Sequence, residues 1–160
     1  MHRRYNAAVT STNTENFFEL VGQHFAKSIP HVAEIGMRIV SITAQGARVE
    51  LPYRADWLGD TQRGLIHTGI ITTVIDSVSG LAVFSALGEF KAIATLDLRM
   101  DYLRAARPDK TLVCHAHCYR LTRSIAFVKA LAWQDNEADP VAVSQSTFML
   151  GSHSAKRKPI

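Results

Sequence analysis

The chain has 160 residues, 47% hydrophobic and 20% charged, the balance of an ordinary globular protein, which excludes intrinsic disorder and collagen-like repeats. Lys and Arg number 18 against 14 Asp and Glu, a formal net charge of +4. Lys156, Arg157 and Lys158 hold much of that excess at one end, so the body is close to neutral and lacks the basic stripe that phosphate-driven nucleic-acid binding requires.

A chain of this length buries roughly 70% of its unfolded surface, enough for one core without disulfide or metal staples. Residues 1–12 place Arg3 and Arg4 ahead of Ser, Thr and Asn instead of an apolar run, so they are expected to be a flexible terminus and not a signal peptide. Thr12 with Glu15 forms a capping-box pattern. Phe17, Phe18, Val21 and Phe25 then recur at helical spacing, predicting a helix from about Thr14 to Ala26 that stops before Ser28-Ile29-Pro30. Gly36 to Thr43 and Ala47 to Tyr53 are β-branched runs around Ala44-Gln45-Gly46, a hairpin pattern, and Pro52 places the second strand's end near a sheet edge.

Asp56 to Gly64 is polar and turn-rich, and it opens onto Leu65 to Leu87, in which Asp76 is the only formally charged residue. The stretch approaches a membrane span in length, but Thr68, Gly69, Thr72, Thr73, Asp76, Ser77, Ser79 and Gly80 make it a poor one, and no membrane association is expected. A run this long without a turn signal predicts a single buried helix about 30 Å long. Steps of about 100° put Ile70, Ile71, Val74, Ile75, Val78, Leu81 and Ala82 on one broad face, with Gly69, Thr72, Thr73, Asp76 and Gly80 opposite.

After Gly88 the pattern becomes strands at Ala92 to Leu103, Thr111 to Leu121, Ser124 to Trp133 and Val141 to Leu150. Their linkers are too short for crossover helices, so consecutive strands are expected to be antiparallel. The result is an α+β fold, a curved antiparallel sheet holding the long helix on its concave face with an extra N-terminal helix, in one domain over residues 13–151. Residues 152–160 are expected to be a disordered basic tail.

Cys114 and Cys118 share a predicted strand about 13 Å apart, too far for a disulfide, which fits a reducing, cytoplasmic setting. In Cys114-His115-Ala116-His117-Cys118 the imidazoles take one strand face and the thiols the other, so only two ligands of a kind converge and no metal site is expected.

An ionised carboxylate in an apolar helix costs several kcal/mol unless paired or hydrogen-bonded, and no Lys or Arg lies within two turns of Asp76 in sequence. A general base is one purpose that justifies such a placement; a structural carboxylate bonded to Thr72 or Thr73, or to a neighbouring subunit, is the other. Upstream, Arg63-Gly64-Leu65-Ile66-His67-Thr68-Gly69 would set free N–H groups at the helix start, where a donor to a developing oxyanion is worth about 3 kcal/mol.

These pieces occur in a telling order: His67-Thr68-Gly69, Asp76 nine residues after the His, Thr95-Leu96-Asp97-Leu98-Arg99-Met100-Asp101-Tyr102-Leu103-Arg104, then Arg120-Leu121-Thr122-Arg123-Ser124-Ile125-Ala126-Phe127. In that order the chain resembles the PaaI-like hotdog-fold acyl-CoA thioesterase family over about Ile35 to Leu150. The resemblance implies a long helix wrapped by an antiparallel sheet, in homodimers that pair into homotetramers with active sites between subunits. It implies an acyl-CoA substrate and no cofactor, coenzyme A being part of the substrate. Asp76 takes the place of the acid that activates water or attacks the thioester carbonyl, the Thr68 and Gly69 amides bind the carbonyl oxygen, and His67 orients their loop. Thr95 matches a residue that positions the water across the dimer, while Arg120, Arg123 and Ser124 match a region that holds the coenzyme A phosphates. Gly80 joins the substrate-binding residues.

The family's usual His-Gly-Gly reads His67-Thr68-Gly69 here, and the Thr68 Cβ narrows the loop. The family's Asn or Gln before the His falls by count on Thr61, with Gln62 beside it. A thioester is electrophilic and thiolate leaves readily, so one base and an oxyanion hole suffice without a Ser-His-Asp triad, and no G-x-S-x-G elbow occurs. Two other classes remain as alternatives: a non-catalytic module that binds acyl-CoA as a sensor, and a hotdog dehydratase, whose His and acid sit in a Pro-rich loop that Gly64 to Asp76 lacks.

Overall fold

Alternating burial along the late strands sets the architecture of the computed structural model, which describes residues 16–25 and 29–151. In β8 (Ala142–Leu150), Ala142, Ser144, Ser146, Phe148 and Leu150 face inward, whereas Gln145 and Met149 face out. The same period runs through β7 (Ile125–Trp133), while β6 (Leu112–Leu121) alternates only around Cys114 to His117 and passes from a buried start to an exposed end. Together with β1 (Arg38–Thr43), β2 (Gly46–Leu51) and β5 (Ile93–Tyr102) they form one antiparallel sheet in the order β1-β2-β6-β7-β8-β5. The helix α3 (Thr68–Leu87) lies against it, so the long helix and the wrapping antiparallel sheet are both present. The expected capping box, the first twelve residues and the tail from Ser152 fall outside the described residues.

Two expectations, on Pro52 and on the start of the long helix, need correction. The strands of the sheet pair antiparallel as expected, with β5 beside β8 at the sheet edge and not beside β6, the next strand in sequence. Residues 103–111 carry the chain past β8 and β7, about 14 Å at strand spacing, which an extended linker of that length spans easily. β2 lies inside the sheet between β1 and β6, so Pro52 marks only the strand's end, not an edge. The long helix starts at Thr68 instead of Leu65, because Leu65–Ile66 forms β4 and pairs with β3 (Leu58–Asp60) in a two-stranded ribbon behind a 3-10 turn at Ala55–Trp57.

Ile71, Val74, Ile75, Val78, Leu81 and Ala82 of α3 are buried as expected, while Ile70 is only partly buried. Ser79, Gly80, Val83 and Ser85 are buried as well, because the curved sheet embraces more than one stripe of the helix. By length and composition α3 is apolar enough to cross a membrane, but more than half of it is buried inside the protein, the condition of a core helix. Gly88 ends it in the left-handed region (φ 65°), donating its N–H to Phe84 O at 3.0 Å.

The N-terminal helix, α1, is described over residues 16–25 and buries Val21 and Phe25 against the body. Phe17 meets Phe90 edge-on at 5.3 Å, and Phe90 in turn meets Phe84 of α3 at 6.1 Å. A short helix not expected from the sequence, α2 (Pro30–Glu34), follows. Pro30 stands at its first turn, where a missing N–H costs nothing, so the proline that reads as a terminator is a start. Arg54 fixes its far end, donating to Glu34 O at 2.5 Å while paired with Asp56, whose carboxyl it holds below the usual range.

The hairpin turn between β1 and β2 passes directly over β6. Gly46 has φ 137°, and a Cβ there would lie 2.1 Å from the Ala116 carbonyl oxygen. Gly46→Ala is therefore expected to cost at least about 3 kcal/mol in urea unfolding, against about 1 kcal/mol for Gly88→Ala, where a Cβ meets nothing within 4 Å. Equal losses in the two variants would show that the close approach to β6 carries no weight.

Candidate active site

Asp76 lies near the middle of α3, on the stripe that the sheet does not fully cover, and is half-buried. Its Oδ1 accepts a hydrogen bond from Thr95 Oγ1 at 2.9 Å. Thr95 reaches it from β5 of the same chain. The register of β5 against β8 shifts between Thr95 and Asp97, and such a bulge re-aims the side chains beside it. Among the described residues no hydrogen bond engages Asp76 Oδ2, and no ion pair reaches the carboxylate.

The carboxylate opens into a cavity of about 660 Å³. Its polar lining is Asp76, Thr72, Thr73, Ser77, Thr95 and His31, and its apolar lining is Phe25, Ile29, Val32, Ile93, Leu98 and Phe148, with Gly69 and Gly80 completing the helix side. One reactive oxygen at the wall of a largely apolar cleft is what a reagent for an uncharged, partly aliphatic substrate needs.

His67 is the N-cap of α3. Its Nδ1 accepts the Gly69 N–H at 2.9 Å, and its own N–H donates to Trp57 O at 2.8 Å. A Cβ on Gly69 would stand 2.9 Å from that ring nitrogen, so the capping imidazole itself demands glycine at this place. Thr68 occupies the first helical position and is not among the described residues with positive φ, so the narrowing expected from its Cβ leaves the backbone regular. The Gly69 amide, expected to bind a substrate oxygen, is here committed to His67. Thr68 N–H has no acceptor within the helix, as for any first-turn amide. Thr72 and Thr73 donate to Thr68 O and Gly69 O, and the Tyr102 hydroxyl lies 2.6 Å from Thr72 Oγ1, tying the end of β5 to the helix start.

The structure thus gathers Asp76, Thr95, Gly69 and Gly80 around one cavity, with His67 and Thr68 at its helical end. Thr61 and Gln62 do not line it. They sit exposed in the β3–β4 turn, where the Gln62 N–H is held by Asp60. Arg120, Arg123 and Ser124 are exposed at the β6–β7 hairpin and also stand apart from it. Tyr102, His31, Phe25, Ile29 and Val32 are participants that sequence reasoning missed. Tyr102 lay inside a quoted motif without a role, and the other four offered no local signal.

On β6 the His115 and His117 rings stack 6.2 Å apart, and burial pushes the His115 imidazole down. Cys114 is fully buried, which pushes its thiol far up and leaves it inert.

Comparison with known proteins agrees with this fold. A family model described as the thioesterase superfamily matches residues 63–141. A relative from Halobacterium salinarum, whose esterase assignment is provisional, is 33% identical over 71% of this chain and 80% of its own. The medium/long-chain acyl-CoA thioesterase YigI of Escherichia coli is 25% identical over 86% of this chain and 96% of its own. A crystal structure of a Pseudomonas aeruginosa protein superposes with a TM-score of 0.75 and 32% identity, covering 83% of this chain and 98% of that one.

The cap offers a direct test. His67→Ala removes the acceptor for Gly69 N–H and is expected to lower stability by about 1 kcal/mol in thermal or urea unfolding, while His67→Asn, a competent cap, restores it. Identical stability in all three proteins would leave the imidazole without a capping role.

Proposed function

The chain belongs to the thioesterase superfamily, and from that membership and the cavity at Asp76 we propose that it hydrolyses acyl-coenzyme A thioesters as a PaaI-like enzyme. The observation that carries this reading is the carboxylate itself, steadied on one oxygen by Thr95 and open to an apolar cavity on the other side. Oδ2 takes the proton of an attacking water as general base, or attacks the carbonyl carbon directly as nucleophile. Negative charge then gathers on the carbonyl oxygen, and the first turn of α3, with the Thr68 N–H and the positive dipole end, is the adjacent place to receive it. Collapse of the tetrahedral adduct breaks the C–S bond and releases the coenzyme A thiolate, a leaving group good enough that no second acid is required; the general-base route gives the free acid directly, whereas the nucleophilic route leaves a mixed anhydride on Asp76 that water hydrolyses to restore the carboxylate.

The working unit we propose is a homodimer that pairs into a homotetramer. Support comes from β5, an edge strand with unpaired backbone groups on its outer side and exposed Leu96 and Tyr102, which also carries Thr95 of the site. In such an assembly the exposed Arg120, Arg123 and Ser124, together with Thr61 and Gln62, are available to hold the coenzyme A of a neighbouring subunit, guanidinium groups being suited to phosphate. We place the activity in the cytoplasm, which the two unbridged thiols favour.

A second reading has one observation in its favour. With Gly69 N–H committed to His67, the chain in this arrangement is short of one oxyanion donor, which a non-catalytic acyl-CoA sensor does not need.

Hydrolysis of a panel of acyl-CoA esters by wild type, Asp76→Asn and Thr95→Val separates these readings, with melting followed in parallel. Asp76→Asn is expected to lose at least about 100-fold in turnover with folding preserved, and Thr95→Val roughly tenfold. Equal rates for wild type and Asp76→Asn would remove the carboxylate from the reaction. Stabilisation of wild type by acyl-CoA without turnover would establish the sensor.

A further inference from the structure

The superfamily match begins at residue 63, yet the cavity beside Asp76 is walled in part by residues from well before it. Phe25 comes from α1, Ile29 from the start of α2 and Val32 from within α2. All three are apolar, and with Ile93, Leu98 and Phe148 from the sheet they form a lining suited to hydrocarbon, whereas the hydroxyls and the carboxylate cluster on α3 and at Thr95. The wall is anchored from both ends. On α1, Phe25 is 8% exposed and Val21 is buried, with Phe17 edge-on to Phe90; on α2, Val32 is 2% exposed and Arg54 holds the Glu34 carbonyl. Burial on this scale gives the short helix a place it has no length to hold alone.

We propose that α1 and α2 are the acyl-length gauge of this protein: they take an aliphatic acyl chain end-on against Phe25, Ile29 and Val32, and these side chains set the longest chain accepted. The inference rests on the thioesterase reading for its substrate and deepens it, since it assigns the acyl specificity to a segment that lies outside the residues matched by the superfamily model. Each methylene admitted to or excluded from an apolar site changes affinity about fourfold, so a wall moved by two methylenes shifts the preference between adjacent even chain lengths by roughly fifteenfold.

The test uses the full chain with Ile29→Ala, Ile29→Trp and Phe25→Ala, and with Leu20→Ala as control, Leu20 being 56% exposed on the outer side of α1. Two readouts are taken: kcat/KM over straight-chain acyl-CoA esters from acetyl to palmitoyl, and thermal stabilisation by the matching S-alkyl coenzyme A thioethers, which cannot be hydrolysed. Ile29→Ala and Phe25→Ala are expected to shift both profiles toward longer chains, by roughly fifteenfold in the ratio of neighbouring even lengths, Ile29→Trp to shift them toward shorter ones, and Leu20→Ala to leave them in place. Should Phe25→Ala fail to fold, the two Ile29 variants carry the test, since Ile29 is 36% exposed at the rim. Profiles that rise or fall in parallel at every chain length overturn the gauge even if the hydrolase is active. Length-dependent thioether stabilisation that shifts as stated, with no thioester turned over by wild type, upholds the gauge and overturns the hydrolase.

Discussion

A helix as apolar as α3 has almost no face that water tolerates, and most of the fold answers to that constraint. A flat sheet covers one side of a helix; covering more requires strands that curl and approach closely. Many inward positions of these strands are correspondingly small: Ala116 on β6, Ala126, Ala130 and Ala132 on β7, Ala142, Ser144 and Ser146 on β8, all buried. Small side chains let the backbone of the sheet come near the helix, whose own buried Ser79, Gly80 and Ala82 face the same economy of space. The hydroxyls of Ser79, Ser144 and Ser146 have no hydrogen-bond partner among the described residues. Each such group costs about 1 to 3 kcal/mol, a concession that close packing around the apolar faces of the helix outweighs.

Wrapping also leaves a seam, and the seam is where chemistry is sited. Asp76 occupies the one stripe of α3 where the helix faces β5 and the N-terminal helices instead of the centre of the sheet. β5 is an edge strand, reached from α3 through the short link of residues 88–92, and its bulge between Thr95 and Asp97 aims a hydroxyl at the carboxylate. An acid at any of the positions of Val74, Val78 or Leu81 would be fully desolvated with no cavity to serve. The placement of the charge is thus legible as a consequence of the packing, not as an exception to it.

What the sequence disclosed follows the same division between local and distant causes. Residue alternation announced β6, β7 and β8 to within a residue or so, and the absence of breakers announced α3, since both signals are local. Leu65 and Ile66 extended the apolar run without a break, so nothing marked them as a strand until their partners at Leu58 and Asp60 were known. Pro30 carried two meanings, stop and start, and only the burial of Val32 decides between them. The position of β5 depends on strand order, which linker length does not encode. Asp76, Thr95 and Gly69 were found through their motif, but Phe25, Ile29 and Val32 enter the cavity through packing between segments forty or more residues apart, roughly, which no pattern along the chain announces.

The helix start shows how capping and chemistry meet on one hydrogen. The Gly69 N–H is held by His67 Nδ1 in the free protein, and a cap of this kind is worth about 1 kcal/mol. A donor to a full oxyanion is worth about 3 kcal/mol in a transition state, whereas a neutral carbonyl gains only the modest net of an ordinary hydrogen bond, also about 1 kcal/mol. In the hydrolase proposed for this chain, exchanging the imidazole for a ground-state thioester therefore gains nothing, and exchanging it for the tetrahedral adduct gains about 2 kcal/mol by the difference of those two figures. A cap that is surrendered only when charge has developed favours the transition state over the substrate, so the interaction that holds the helix end in the resting protein works with catalysis and not against it.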